Sequence, residues 1–407
     1  MPRNLTLDRR RLIGASASLG ALGLGSVGLG ACATAPAARP LTAAGLPAPQ
    51  VGPPFVPELA PIRARADRLF DITVCLRPFR AAGPRLDTET VGDTLVVHNY
   101  GHGGSGWSLS WGSSTMAVRK AMAGSPQRVA VIGCGALGLT SATLAQQAGA
   151  QVTIYCKDLL PDTRSSRATG SWTPDSRIAL TSAAGPKFGA LWEEMARISF
   201  KTYRRFLGLP GTPVEWVDHY VLADDGPQAE PPDPLGFASY GERIADLTPR
   251  REILRPGSTP FPVAHVSRNS TLMFNIADYG HTLIADFLAA GGRIEHREFH
   301  DPSEIAQLPE KVVINCTGYG ARALWKDESI TPVRGQIAWL IPQPEVRYGV
   351  FYRDVNVLPR RDGMVVQALE GGDMKGYGND HEVPDRAEAE HAVGVMADLY
   401  ARFPRRA

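Results

Sequence analysis

The sequence predicts an α/β fold built around a Rossmann-like dinucleotide-binding domain. The first observation is a β–α–β pattern over residues 128–155, with a glycine-rich turn at residues 133–138 between its first strand and its helix. The second is another glycine-rich loop, at residues 98–106, which also follows an apolar strand-like run and opens a helix-like segment. The third is the length of 407 residues, which is enough for two domains or for one large two-layered unit.

Composition and charge exclude several other classes of protein. With 43% hydrophobic and 21% charged residues, the chain has the composition of a soluble globular protein. A net charge of +2 gives no case for nucleic-acid binding. The five cysteines include no CxxC pair and predict no disulfide scaffold. Gly101, between His98 and His102, and the glycines directly after His102 prevent the helix that a metal-binding pair at this spacing needs, so we predict no metal site.

The first 32 residues have the pattern of an export signal. Three arginines at residues 9–11 resemble the twin-arginine signal, and a run rich in Gly, Ala and Leu follows them. Residues 29–32 resemble a bacterial lipobox, in which Cys32 would become the lipidated first residue. This pattern predicts a bacterial protein that is exported to the periplasm or anchored to a membrane through Cys32. An uncleaved membrane anchor, and cleavage without a lipid, are the alternatives.

Residues 33–60 are predicted to form a linker. Seven prolines among small residues prevent a helix or a central strand in this segment. A coil of this length would hold a folded unit on the order of 30 Å from a membrane surface.

The next elements predict a parallel sheet. An apolar strand at residues 94–99 is followed by a helix-like segment at residues 107–122. Residues 128–132 then form a second buried strand, residues 139–148 a helix, and residues 151–155 a third strand. Each strand–helix–strand succession is a crossover of the kind that parallel strands require.

The turn in the second crossover carries the GxGxxG spacing of a dinucleotide-binding motif. Gly133 permits the tight turn, Gly135 lets backbone N–H groups approach a pyrophosphate, and Gly138 allows the helix to pack closely on the strand. The N-terminus of the following helix faces the phosphates with its positive end, and Ala136 and Leu137, within the motif, are further predicted cofactor contacts. A structural tight turn is the alternative interpretation.

A charged pair, Lys157-Asp158, follows the third strand. An acidic residue about 20 residues after the glycines commonly binds the ribose of a dinucleotide. Contacts to the ribose and the adenosine phosphate, or a solvated charge pair, are both open.

Four further segments resemble the D-amino-acid oxidase family. They are the loop HNYGHGGSG at 98–106, the segment CLRPFR at 75–80, the polar segment at 163–174, and the pair NCTG at 315–318 with RGQ at 334–336. The resemblance covers nearly all of residues 62–407 and implies a Rossmann-like FAD-binding domain joined to an α+β substrate domain with a mixed sheet. It also implies that FAD contacts Thr163, Arg164, Ser165, Thr169, Gly170, Ser171, Phe299, Cys316, Thr317, Gly318, Gly103, Gly106 and Ser108, besides the glycine-rich turn and Lys157-Asp158.

The same resemblance implies a substrate site. Arg77 would bind the carboxylate of an amino acid, because a planar guanidinium forms two parallel hydrogen bonds with a carboxylate. Tyr352 would donate its hydroxyl to this carboxylate, and the carbonyl of Gly104 would accept from the amine. Where the family has a second tyrosine this chain has Asn356, whose amide is shorter and more polar.

The reaction implied by the resemblance is FAD-dependent oxidative deamination of a D-amino acid. FAD takes a hydride from Cα, the imino acid hydrolyses to a 2-oxo acid and ammonia, and molecular oxygen reoxidises the flavin to give hydrogen peroxide. Oxidation of another amine, such as glycine, an N-methyl amino acid or an acidic D-amino acid, is an alternative. A non-catalytic lipid-anchored flavoprotein is a further alternative.

The order of these motifs departs from that of the family. There, the loop that resembles residues 98–106 comes near the chain end, long after the dinucleotide motif, so we predict a circularly permuted chain. The FAD domain would comprise about residues 92–180 and 263–330, and the substrate domain about residues 61–91, 181–262 and 331–407. The ends of this unit, near Pro61 and Pro404, should then lie close together.

Overall fold

Two β-sheets organise residues 58–226 and 233–403, which the computed structural model of the protein describes and which fall within one compact unit. The predicted export signal and nearly all of the predicted linker lie outside these residues. Among the described residues, no helix combines the length and the apolar character needed to cross a membrane.

The first sheet of the described chain has six strands. They are β2 (Thr88–Val91), β3 (Thr94–His98), β10 (Val312–Asn315), β4 (Arg128–Ile132), β5 (Gln151–Cys156) and β9 (Arg293–His296), in this spatial order. All neighbouring pairs are parallel except β2 and β3. Val96 and Val97 are both fully buried although they point to opposite faces, which explains the continuous apolar runs in the sequence.

Helices cover both faces of this sheet. They are α1 (Gly106–Ala121), α2 (Ala136–Gln147), α3 (Phe188–Tyr203), α4 (Ile276–Ala289), α5 (Ser303–Ala306) and α6 (Ala321–Leu324). α1 connects β3 to β4 and α2 connects β4 to β5, as predicted. α1 lies very close to α3, because a Cβ at Gly112 would overlap the backbone of Met195. These connections bring both glycine-rich loops to the same edge of the sheet.

The second sheet, over the described residues, is mixed and has eight strands. In spatial order they are β1 (Leu69–Arg80), β11 (Ile330–Leu340), β14 (Gly363–Ala368), β13 (Val355–Arg360), β12 (Tyr348–Tyr352), β6 (Val214–Ala223), β8 (His265–Phe274) and β7 (Glu252–Ile253). Only β12 and β6 pair in parallel. Helix α7 (Arg386–Ala401) buries its apolar residues against one face of this sheet. The predicted fold class, a Rossmann-like sheet beside a mixed sheet, is confirmed.

The structure differs from the predicted domain boundaries at two points. β8 belongs to the second sheet, although residues 263–330 were assigned to the FAD domain, because it pairs with β6 over ten residues. β2 belongs to the first sheet, although residues 61–91 were assigned to the substrate domain. Motifs mark the ends of strands, whereas these differences concern which strands pair.

The two ends of the described chain lie together. The hydroxyl of Tyr348 donates to the carbonyl of Ala60 at 2.6 Å and is 3.0 Å from the hydroxyl of Tyr400. Leu59 and Phe403 pack against the same apolar cluster. The proximity that a permuted order requires is therefore present.

Candidate active site

A cavity of about 1490 Å³ lies at the carboxyl ends of the five parallel strands. Open α/β sheets bind their ligands at this edge. Residues of β1, β6, β8, β13 and β14 contribute a wall from the second sheet. Every predicted cofactor residue except Gly138 lines the cavity. Three of the predicted substrate residues line it too, namely Arg77, Gly104 and Asn356.

The turn after β4 leaves the start of α2 open to the cavity. Gly133 has a φ of +103°, and a Cβ there would be 2.6 Å from the carbonyl oxygen of Cys316. A Cβ at Gly138 would overlap the carbonyl oxygen of Gly133, so this glycine allows α2 to approach the turn. Gly135 is the N-cap of α2 and has no side chain to cover the first N–H groups. Ala136 N donates to Ser165 Oγ at 3.0 Å, which brings the polar segment at 163–174 to the same place.

The second glycine-rich loop and the start of α1 form hydrogen bonds with that polar segment and with Ser176, which lies just beyond it. Gly104 N donates to the carbonyl of Ser176 at 3.0 Å, and Trp107 Nε1 donates to the carbonyl of Ser165 at 2.8 Å. Ser108 Oγ accepts from Thr173 N at 2.8 Å. The structure thus joins three segments that are far apart in sequence into one wall of the cavity.

A buried polar network supports this wall from beneath. Ser113 Oγ donates to Asn99 Oδ1 at 2.6 Å and therefore accepts from His102 Nε2 at 2.7 Å. Asn99 Nδ2 donates to the hydroxyls of Ser114 and Ser141. Burial lowers the pKa of His102 to about 3, so its imidazole is neutral. Its Nδ1 is a buried acceptor without a partner among the described residues, and His102 lines the cavity.

Arg77 lines the cavity, and its guanidinium has few partners within the protein. A Cβ at Gly335, on the neighbouring strand, would overlap the guanidinium, so this glycine makes room for it. Within the described residues, the guanidinium forms one hydrogen bond, from Nη1 to the carbonyl of Arg334 at 3.3 Å. A guanidinium has five N–H donors, so several remain for an anion.

Tyr352 does not reach the cavity, and its predicted role toward the substrate carboxylate is wrong. It is only 1% exposed, and its hydroxyl donates to Asp224 Oδ2 and accepts from Arg402 Nη2, at 2.8 and 2.7 Å. Successive residues of a strand point to opposite faces, and it is Phe351 that lines the cavity. Tyr352 therefore lies on β12 with its side chain on the face that points away from the cavity.

Asn356 does face the cavity, beside a residue that the sequence did not single out. Its Oδ1 lies 2.8 Å from Nε2 of His219, on β6. Burial lowers the pKa of His219, which favours the neutral form of its imidazole beside the Asn356 amide. The pleat of β6 could have identified the face of His219, but not that β6 would lie beside β12.

Arg177 is a second cation that sequence reasoning missed. It is 6% exposed and lines the same cavity as Arg77. Its Nε donates to the carbonyl of Asp373 at 2.8 Å, and its Nη2 donates to the carbonyl of Gly372 at 3.1 Å. Burial, and then repulsion by Arg77, lower its pKa to about 10. No motif marks this position, so only the fold could reveal it.

The far end of the cavity, after β5 and β9, is more exposed. Lys157 Nζ is 3.2 Å from Glu298 Oε1, and both side chains are about half exposed. The guanidinium of Arg297 lies 4.6 Å from the ring centroid of Phe299, which is buried. Cationic and aromatic groups therefore occupy the end where the sequence predicts adenosine contacts.

Comparisons with known proteins agree with this geometry. The family model described as FAD dependent oxidoreductase matches residues 128–407. The chain is 29% identical over 282 residues to a D-amino-acid oxidase of Dictyostelium discoideum, covering 68% of this chain and 73% of that protein. It is 32% identical over 213 residues to a D-amino-acid oxidase of Streptomyces coelicolor, covering 51% of this chain and 58% of that protein. It is 26% identical over 242 residues to a D-aspartate oxidase of Talaromyces thermophilus, covering 52% and 60% of the two chains.

Proposed function

We propose a reaction for this site on the premise that the chain belongs to the FAD dependent oxidoreductase family and is an oxidoreductase with FAD as its cofactor. The proposed reaction is the oxidative deamination of D-amino acids to 2-oxo acids and ammonia, with molecular oxygen as acceptor and hydrogen peroxide as product. The observation that carries the proposal is that Arg77 lines the cavity and that most donors of its guanidinium have no partner among the described residues.

The residues of the cavity fit FAD. Gly133 and Gly135 place no side chain of their own over the N-terminus of α2, where the hydroxyl of Ser165 accepts from Ala136 N, and this arrangement suits a pyrophosphate. The unpartnered Nδ1 of neutral His102 can accept a hydrogen bond from a group in the cavity. We propose that the lining residues named above hold the cofactor, with Lys157, Asp158 and Phe299 at the adenosine end. When bound, FAD supplies the hydride acceptor for the substrate Cα.

The chain's own residues would orient the substrate. Arg77 binds the carboxylate, and this fixes one end of the amino acid. The Gly104 carbonyl accepts from the amine, and Asn356 with His219 forms the polar wall opposite. Fixing the substrate in one orientation lowers the barrier by removing rotational freedom before the reaction.

The role of Arg77 can be tested by substitution. Arg77→Ala should lower kcat/KM for D-alanine at least ~10-fold, because a hydrogen bond to a charged group contributes ~1.5–3 kcal/mol. Arg63→Ala is the matched control, since it removes an exposed ion pair with Glu345, and it should leave kcat/KM unchanged. Peroxide release under air measures both. An Arg77→Ala enzyme with the wild-type kcat/KM would exclude the proposed carboxylate site.

A substrate panel separates the proposal from its alternatives. D-Amino acids, their L-enantiomers, glycine and N-methyl amino acids are compared with the same holoprotein. Turnover of glycine or N-methyl amino acids above all D-amino acids would favour an oxidase for another amine. A flavin that none of them reduces would favour the non-catalytic flavoprotein.

We further propose that the protein is exported and acts at the cell envelope of a bacterium. The support is the arginine-rich start, the apolar run and the lipobox-like segment before Cys32. Cys32→Ala should release the protein from the membrane fraction and abolish incorporation of labelled palmitate. Labelling that persists in this variant would contradict lipidation at Cys32.

A further inference from the structure

A second cavity of about 730 Å³ adjoins the first. It lies between β11 and β14 on one side and residues 375–388 on the other. Arg77, Arg177, Gln367 and Leu369 line both cavities, so the two arginines stand where the cavities meet. A substrate bound to Arg77 therefore has space on both sides of this guanidinium.

The lining of the second cavity is predominantly cationic. It contains five arginine or lysine side chains and two carboxylates, namely Arg77, Arg177, Arg334, Lys375, Arg386, Asp385 and Glu388. Three of the cations have carboxylate partners within 3.2 Å: Arg334 with Glu388, Lys375 with Glu370 and Glu388, and Arg386 with Glu390. The carboxylate of Asp385 caps the N-terminus of α7. The positive charge that remains belongs to Arg77 and Arg177.

These two guanidiniums are only weakly neutralised. Nη1 of Arg177 lies 3.3 Å from Asp373 Oδ1, and the side chain of Asp373 is 45% exposed to solvent. Within the described residues, no other carboxylate forms an ion pair with Arg177, and none does so with Arg77. A buried cation without a fully buried partner favours binding of an anion.

Arg177 is also fixed in place before any ligand binds. Its backbone has a φ of +50°, and its carbonyl packs so closely on Gly103 that a Cβ there would overlap it. Nε and Nη2 donate to the carbonyls of Asp373 and Gly372, and Nη1 donates to Ser176 Oγ and faces Asp373 Oδ1, each at 3.3 Å. One N–H of Nη2 therefore remains for a ligand. An anion at this position would meet a donor that needs no reorganisation.

We propose that Arg177 binds a second anionic group of the substrate, so that the site prefers D-amino acids with a carboxylate on the side chain. Arg77 binds the α-carboxylate and Arg177 the side-chain carboxylate, and the second cavity admits the longer members of the class. This inference rests on the proposed function for its reaction, but not for the anion site itself.

The first test compares D-glutamate with D-glutamine, which has nearly the same shape and no side-chain charge. Arg177→Met should lower kcat/KM for D-glutamate on the order of tenfold or more, and that for D-glutamine less than about threefold. Equal losses on the two substrates would overturn the proposal, because Arg177 would then only fasten the Gly372–Asp373 backbone or assist Arg77.

Asp373→Asn is a second variant that retains the carbonyl bound by Arg177. It removes the negative charge 3.3 Å from Nη1, so it should raise the preference for D-glutamate over D-glutamine. A preference that falls or stays the same would contradict the proposal even if Arg177→Met did not fold.

A binding measurement separates this inference from the proposed reaction. Calorimetry on the holoprotein compares glutarate, which has two carboxylates, with butyrate, which has one. Tighter binding of glutarate that is lost in Arg177→Met supports the anion site even if no D-amino acid reduces the flavin. Equal affinities in the wild type would overturn the anion site even if D-alanine is a good substrate.

Discussion

At the scale of single residues, the position of Arg77 depends on a glycine of the neighbouring strand. Cys75 pairs with Gly335 in the sheet, and the guanidinium of Arg77 extends over that glycine. Packing on Gly335 fixes the side chain of Arg77, and only one of its five N–H groups forms a hydrogen bond with the described protein. This combination suits a residue that must bind an anion repeatedly without losing its orientation.

Replacing that glycine should displace Arg77 without removing it. In Gly335→Ala the new methyl group would overlap the guanidinium, so we expect KM for D-alanine to rise roughly tenfold or more while FAD stays bound. Gly394→Ala is the control, because no atom lies within 4 Å of a Cβ at that helical position. Steady-state kinetics and the bound flavin absorbance measure the two effects. Wild-type KM in Gly335→Ala would show that Gly335 does not position the arginine.

His102 should make stability depend on pH. Its pKa is about 3 in the folded protein and 6.5 in the reference state, so the unfolded chain binds the additional proton between these values. Stability therefore declines as pH falls from about 6.5 toward about 3, by on the order of a few kcal/mol from this residue. His102→Asn should flatten this part of a denaturation series measured at several pH values. An unaltered slope in His102→Asn would contradict burial of a neutral imidazole.

The sequence predicts those site residues that belong to a backbone motif. It does not predict those that depend on which strands and loops become neighbours in the fold. Gly133 and Gly135 could be assigned because the turn itself requires glycine. Tyr352 was misassigned because a shift of one residue along a strand reverses the face. His219 and Arg177 reach the cavity through strand pairing and loop packing that no local pattern encodes.

At the scale of elements, the approach of α2 to the turn after β4 governs the cofactor site. The helix can reach the turn because Gly138 has no side chain to overlap the carbonyl of Gly133. The crossovers through α1 and α2 could be predicted from the sequence. Strands that are buried on both faces appear as continuous apolar runs, and a glycine marks the end of the helix between them. The order of strands in the mixed sheet was not, because β6 and β12 are distant in sequence.

Adding a methyl group at this approach should weaken FAD binding. Gly138→Ala would force the helix away from the turn and alter the N–H groups that face the pyrophosphate, so we expect affinity for FAD to fall at least ~10-fold. Gly185→Ala, where a Cβ meets nothing within 4 Å, is the control. Titration of the apoprotein with FAD, followed by flavin fluorescence, measures both. Wild-type affinity in Gly138→Ala would argue against this helix as the pyrophosphate site.

At the scale of the whole molecule, we propose that the chain is a circular permutation of the family arrangement. The family model matches residues 128–407, whereas Arg77 and the loop at 98–106 precede this range and still line the same cavity. The shared hydrogen bonds of Tyr348 bring the two ends of the described chain together, so a connection between them needs few residues.

Reversing the permutation should preserve the fold. A variant that begins at residue 127, joins residue 403 to residue 58 by a short glycine–serine linker and ends at residue 124 restores the family order of motifs. We expect it to bind FAD with an affinity near that of the wild type, because the new cut falls in the turn between α1 and β4. A soluble variant that cannot bind FAD would contradict the proposal.

We propose that one cavity of the molecule holds FAD and orients a D-amino acid through Arg77. Anaerobic mixing of the holoprotein with D-alanine or L-alanine, followed at the visible absorption bands of the flavin, tests it most directly. We expect that D-alanine bleaches the flavin, that L-alanine does not, and that Arg77→Ala slows bleaching at least ~10-fold. Bleaching by both enantiomers, or by neither, would contradict it.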